Sequence, residues 1–83
     1  MPLNRIKISI KNSQDAVDFV NELQKSGYND ALFLEDKNGE CHVSAYSRLA
    51  VIYAVTTFPE IYLINESNEG FFPACIKERL IRE

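Results

Sequence analysis

The residues of this chain suited to chemistry are few, and the most informative is a serine at a junction. In Val43-Ser44-Ala45-Tyr46-Ser47-Arg48-Leu49-Ala50-Val51-Ile52 an alternating, strand-like run passes straight into a helical period. A hydroxyl at such a junction accepts a hydrogen bond from the free N–H groups of the helix's first turn, which makes Ser47 an N-cap. Those N–H groups and the positive end of the helix dipole also favour a phosphate, so Ser47 is a candidate for regulatory phosphorylation. Arg48 is close enough to screen that charge. Leu49, Ile52 and Tyr53 fall on one side of the helix, Val51 and Val55 on another. A helix apolar most of the way round is either deeply buried or half committed to a partner.

The remaining reactive types point to structure. His42, the single histidine, sits at a strand position beside Glu40 and Ser44, where a solvated ring is expected rather than a catalytic or metal-bound one. Asp15 with Asp18, and Glu35 with Asp36, are carboxylate pairs that acid–base chemistry could use. They fall at cap and turn positions, and helix-end and hairpin chemistry accounts for them. Ser13, at a helix N-terminus, could bind an anion through backbone N–H groups, with Lys11 helping and Asp15 opposing. Cys41 and Cys75 form no CxxC and have no histidine cluster near them, so no zinc site is expected. Both occupy apolar positions and read as buried free thiols rather than a disulfide. No catalytic set, metal or cofactor emerges, and a non-enzymatic role is expected.

The elements that must position these groups are clear in the pattern. Arg5 to Lys11 alternates strictly, with isoleucines on one face, as a half-buried strand does. Asn12 or Ser13 then caps a helix whose Ala16, Phe19, Val20 and Leu23 share a face, and Gly27 stops it. Asn38-Gly39 between Ala31–Glu35 and Glu40–Ala45 is a strong hairpin signal. Cys41, Val43 and Ala45 share the inner face of the second arm. A helix follows from Ser47 to about Val55 and stops at Phe58-Pro59. Glu60–Asn65 is a last strand. Ser67, Asn68 or Gly70 opens a final helix with Pro73 in its first turn and Phe71, Phe72, Cys75, Ile76 and Leu80 on its apolar side. Lys77, Arg79 and Arg82 near its end suit the dipole.

Strand, helix, strand, strand, helix, strand, helix implies one domain spanning 1–83, an α+β two-layer sandwich with the helices on one face of a four-stranded sheet. Arg5, Lys7, Ser9, His42, Ser44 and Tyr62 would line the open face. Twelve acids against nine bases give a net charge of −3, which argues against nucleic acid as a partner. No signal-peptide core and no run long enough to span a bilayer are visible, so a cytoplasmic protein with no membrane partner is expected. An open edge strand could pair with a copy of itself, and the oligomeric state is left open.

The element order and the Val43–Ile52 segment together resemble the HPr family of the bacterial phosphoenolpyruvate-dependent sugar phosphotransferase system. There a strand carrying Val-x-Ala-Lys-Ser-Ile-Met-Gly-Val-Met leads into a short second helix. Val43, Ala45, Ser47 and Val51 match it, Arg48, Leu49 and Ile52 stand at three of its other positions, Tyr46 replaces its lysine and Ala50 its glycine. The resemblance implies an HPr-like open-faced sandwich of order βαββαβα with an antiparallel sheet. It also implies a serine kinase acting at Ser47 and a partner-docking patch at Arg48, Leu49 and Ile52. The family's phosphate-carrying histidine lies in a Gly-x-His-x-Arg-Pro loop before the first helix. Here that stretch is Lys11-Asn12-Ser13-Gln14-Asp15-Ala16, with Ser13 at the place of the histidine. A serine phosphoester is a stable end product, unlike the labile N–P bond of phosphohistidine. The chain is therefore similar to the short, histidine-lacking HPr-like proteins of Firmicutes, and the implied role is a regulatory or protein-binding module without a relay. The implied partner is a phosphotransferase-system component or a serine kinase. Two other readings stand beside it, an active phosphocarrier with an atypical phosphoacceptor and a small interaction domain unrelated to sugar transport.

Overall fold

The computed structural model describes residues 5–27, 31–66, 72, 76 and 79–81. Six elements follow the expected order: β1 (Arg5–Ile8), α1 (Ser13–Lys25), β2 (Leu32–Glu35), β3 (His42–Ser44), α2 (Arg48–Thr57) and β4 (Ile61–Asn65). The strands form one antiparallel sheet in the order β1-β4-β2-β3. Each strand is shorter than its alternating run of sequence. β1, for instance, ends at Ile8, although Ile10 continues the pattern into the core.

Alternation decides which side of the sheet is covered. Ile8, Leu32, Leu34, Ile61 and Leu63 point inward and join Ala16, Phe19, Val20 and Leu23 of α1 and Val51 and Ala54 of α2 in one buried cluster. Ala45, Phe58 and Ile76 complete it, and Cys41, Val43, Ile52 and Phe72 pack against its rim. Among the described residues the result is an α+β fold of four strands and two helices, compatible with a two-layer sandwich. Cys41 is a free, partly buried thiol, while Cys75 lies outside the described residues. Among the described residues no helix is long and apolar enough to cross a membrane.

Local chemistry sets the element ends. Asn12 is the N-cap of α1: its Oδ1 accepts the Asp15 N–H at 2.9 Å. After the C-cap Ser26, Gly27 takes φ +72°, the left-handed stop that a Cβ would strain. The hairpin turns through Asp36, whose Oδ1 accepts the Glu40 N–H at 2.8 Å and the Cys41 N–H at 3.4 Å. Only Gly39 has a positive φ there, at +73°. Asn-Gly thus marks the hairpin, but the carboxylate of Asp36 organises a longer loop than a two-residue turn.

The expectation for the C-terminal segment needs correction. Phe71, Cys75, Lys77 and Arg82 lie outside the described residues. Ile76 is buried and Phe72 packs on the core, as an apolar face requires, and Ile76 and Arg79 have 3₁₀ geometry. Leu80, however, leaves helical geometry and forms an antiparallel bridge to Ile8. Hydrogen bonds from Ser9 N–H to Arg79 O (2.8 Å) and from Ile81 N–H to Lys7 O (3.1 Å) hold it there. The free edge of β1 supplies backbone partners that the helical pattern of residues 71–80 does not reveal. Arg79 turns away from any helix end to meet α1.

Candidate functional site

The junction between β3 and α2 carries the expected serine. Two backbone donors fix the approach: Ala45 N–H bonds Leu32 O at 3.1 Å, and Tyr46 N–H bonds Ser44 Oγ at 3.2 Å. With Ala45 fully buried beneath them, the chain reaches Ser47 in an extended conformation, φ −97° and ψ 120°. Ser47 Oγ accepts the Ala50 N–H at 3.3 Å, and Ser47 O accepts the Val51 N–H at 2.9 Å. Ser47 is therefore the N-cap of α2 and is also exposed, with no acidic side chain in the first helical turn.

Around this cap the predicted patch divides. Leu49 is 82% exposed, whereas Ile52 packs against the core beside buried Val51. The helical step of about 100° per residue sends Ile52 partly inward, so it does not share Leu49's full exposure. Tyr53, one turn beyond Leu49 and 49% exposed, extends the apolar surface instead. Its ring meets Phe58 edge-on with centroids 6.0 Å apart. Arg48 is exposed and anchored to α1 through Nη2 donating to Asn21 Oδ1 at 3.1 Å. Arg48, Leu49 and Tyr53 thus form one accessible strip beginning at Ser47. Tyr53's share was legible as an i, i+4 partner of Leu49.

The start of α1 is arranged differently. Ser13 is exposed in the first turn. Asp15 Oδ2 accepts the Lys11 N–H at 2.9 Å, and its Oδ1 lies 2.9 Å from Arg79 Nη1. Partial burial would raise the Asp15 pKa, but the Lys11 N–H, the Arg79 hydrogen bond and the two nearby cations outweigh it and hold it low. A carboxylate thus sits among the N–H groups that an anion at Ser13 would use. The neighbouring cleft of about 210 Å³ is lined by Ser9, Lys11, Asp15, Glu22 and Arg79.

His42 is on the open face, as expected, but is paired rather than simply solvated. Nδ1 lies 3.1 Å from Glu35 Oε2, Nε2 lies 3.4 Å from Glu66 Oε2, and the ring stacks on Phe33 at 4.4 Å. The hairpin register that places Glu35 opposite His42 was the available signal. Arg5 crosses the same face, with its guanidinium 3.8 Å above the Tyr62 ring and Nε 3.3 Å from Glu35 Oε1. Among the described residues no group of three or more acidic, cysteine or histidine side chains could hold a metal ion. Comparison with protein-family models, with curated proteins and with solved structures finds no match to this chain.

Proposed function

We propose that this chain is an HPr-like regulatory or protein-binding module, related to the sugar phosphotransferase system, that docks a protein partner and does not relay phosphate through histidine. The observation that carries the reading is Leu49, a large aliphatic side chain 82% exposed beside an exposed capping serine and an arginine. Leaving that side chain in water forfeits about 2 kcal/mol of burial, which a partner's pocket would recover. The order βαββαβ and the burial of Ile76 against the same core support this reading. The serine at the relay position and a carboxylate seated at the start of α1 support the loss of a phosphohistidine step.

Ser47 is the point at which a kinase would act on this surface. A phosphate there would gain from the α2 dipole and lie next to Arg48 while altering the rim of the Leu49 strip. Affinity capture from the native host, comparing wild type with Leu49→Ala and Ser47→Asp, tests the module. A partner set lost with Leu49→Ala is expected, and the same set retained by all three proteins removes α2 from the account. Intact mass of protein purified from that host tests Ser47, with one added phosphoryl group expected under some carbon sources. An acid-labile adduct formed with phosphoenolpyruvate and the system's first enzyme would replace this reading by an active carrier.

A further inference from the structure

We infer that Arg79–Ile81 is a charge-latched guard strand on β1, and that releasing it lets β1 pair with β1 of a second copy. The guard is a short piece of antiparallel ladder. Leu80 stands opposite Ile8, Ser9 N–H donates to Arg79 O at 2.8 Å, and Ile81 N–H donates to Lys7 O at 3.1 Å. β1 is an outer strand of the sheet and pairs on its other side with β4. The guard occupies the outward Ser9 N–H and Lys7 C=O, and an uncovered strand edge is a template for another strand.

Among the described residues two backbone bonds hold the guard, and a side-chain latch adds to them. The Arg79 guanidinium lies 2.9 Å from Asp15 Oδ1, 3.5 Å from Glu22 Oε1 and 3.5 Å from Ser9 O, and 5.5 Å from the centre of the Phe19 ring. Its side chain is only 11% exposed. The apolar side chains of the guard contribute less, because Leu80 and Ile81 remain 42% and 40% exposed. Ile76 in the core anchors the segment three residues earlier, and charge on α1 holds Arg79–Ile81 itself to the edge.

The occupant that fits the uncovered edge is a second copy, because β1 is self-complementary about Ile8. In an antiparallel pair centred there, Ile8 faces Ile8 of the other copy where Leu80 stood. Lys7 then faces Ser9 and Ile6 faces Ile10, which places apolar residues together on the inner side. Lys7 avoids its own copy in this register. The outward N–H of Ser9 and C=O of Lys7 find the same type of partners they have in the guard.

The test uses the full chain and two independent ways of opening the latch, Arg79→Ala and the pair Asp15→Asn with Glu22→Gln. Deuterium exchange at micromolar concentration reads the Ser9 amide against those of Leu63 and Ile64, and light scattering reads the mass over a concentration series. In both variants the Ser9 amide is expected to exchange at least about tenfold faster while the Leu63 and Ile64 amides stay protected. The mass is expected to rise from that of one chain towards two with concentration. Arg79→Lys, which keeps the charge, should give an intermediate exchange rate. Unchanged Ser9 exchange overturns the latch, and fast Ser9 exchange in a chain that stays monomeric at millimolar concentration overturns the pairing. A variant that loses protection at Leu63 as well has unfolded, and the other then decides the matter.

Discussion

Arg5 offers the sharpest stability test, because its side chain ties the first strand to the far end of the hairpin. Its Nη2 donates to the carbonyls of Asp36 at 3.1 Å and Lys37 at 3.0 Å, while Nε meets Glu35 and the guanidinium plane lies over Tyr62. With the side chain 36% exposed, the Glu35 pair is worth about 0.5 kcal/mol and the ring contact about 0.5–1 kcal/mol. Each carbonyl bond, discounted for solvent, adds about 0.5 kcal/mol, so Arg5→Ala should cost about 2 kcal/mol in all. For a domain this small that lowers the melting midpoint by about 10 °C. Arg5→Lys keeps the charge near Glu35 but loses the planar fork, and should recover less than half of the loss. Thermal unfolding followed by circular dichroism reads both variants. An Arg5→Ala midpoint within about 3 °C of wild type, or full recovery by lysine, would refute the idea that fork geometry matters here.

Two further outcomes follow from the cap and from the ionised carboxylates. Ser47→Ala should cost about 0.5–1 kcal/mol in urea unfolding, the low end for a cap because the bond is 3.3 Å long, whereas Ser47→Asp, which still caps and suits the dipole, should match wild type. Folding lowers the pKa of Asp15 below its ordinary 3.8, and that of Glu60, bonded by Lys7, below its ordinary 4.5. Their stabilisation is therefore complete above those values and is lost as the pH falls through the lowered ones. The urea midpoint of wild type should drop below about pH 4.5 and its advantage over Asp15→Asn should close with it, so an advantage that persists at acid pH would be incompatible with the assignment.

The regular elements were legible because each has a strong local cause. Alternating isoleucines, the Phe19-centred face of α1 and the Ser47 cap all appear where their periods and chemistry place them. The boundaries were less legible, since a strand ends where its partner's backbone ends and not where alternation stops. Leu80 shows the harder limit. Its spacing suits a helix face, yet the uncovered edge of β1 outcompetes the helix for its backbone. The open face was half legible: its membership came from alternation, but Phe33, Glu35 and Ile64 entered only with the register. Within the candidate site Ser47 caps α2 and Arg48 and Leu49 are exposed, while Ile52 packs against the core, a difference not legible because an apolar residue on a short helix carries no mark of which side is wet.

The register also explains why the functional reading turns to the helices rather than to the sheet. Row by row, the open face carries Arg5, Ile64, Phe33 and Ser44, then Lys7, Tyr62, Glu35 and His42. The cations come mainly from the edge strand β1, and the carboxylates lie within their reach. Lys7 pairs with Glu60 at 2.6 Å, Lys37 meets the same carboxylate at 3.5 Å, and Arg5 and His42 share Glu35. The half-buried rings of this face are covered as well, Tyr62 by Arg5 and Phe33 by His42. A ligand seeking a stacking platform or a positive groove there would first have to break these contacts and leave carboxylates unpaired. On α2 the situation is reversed. Leu49 and Tyr53 already stand in water, the first turn has no acid to repel a phosphate, and Arg48 is held by a neutral amide. A partner meeting that strip gives up little to bind it, so this is where recognition costs least.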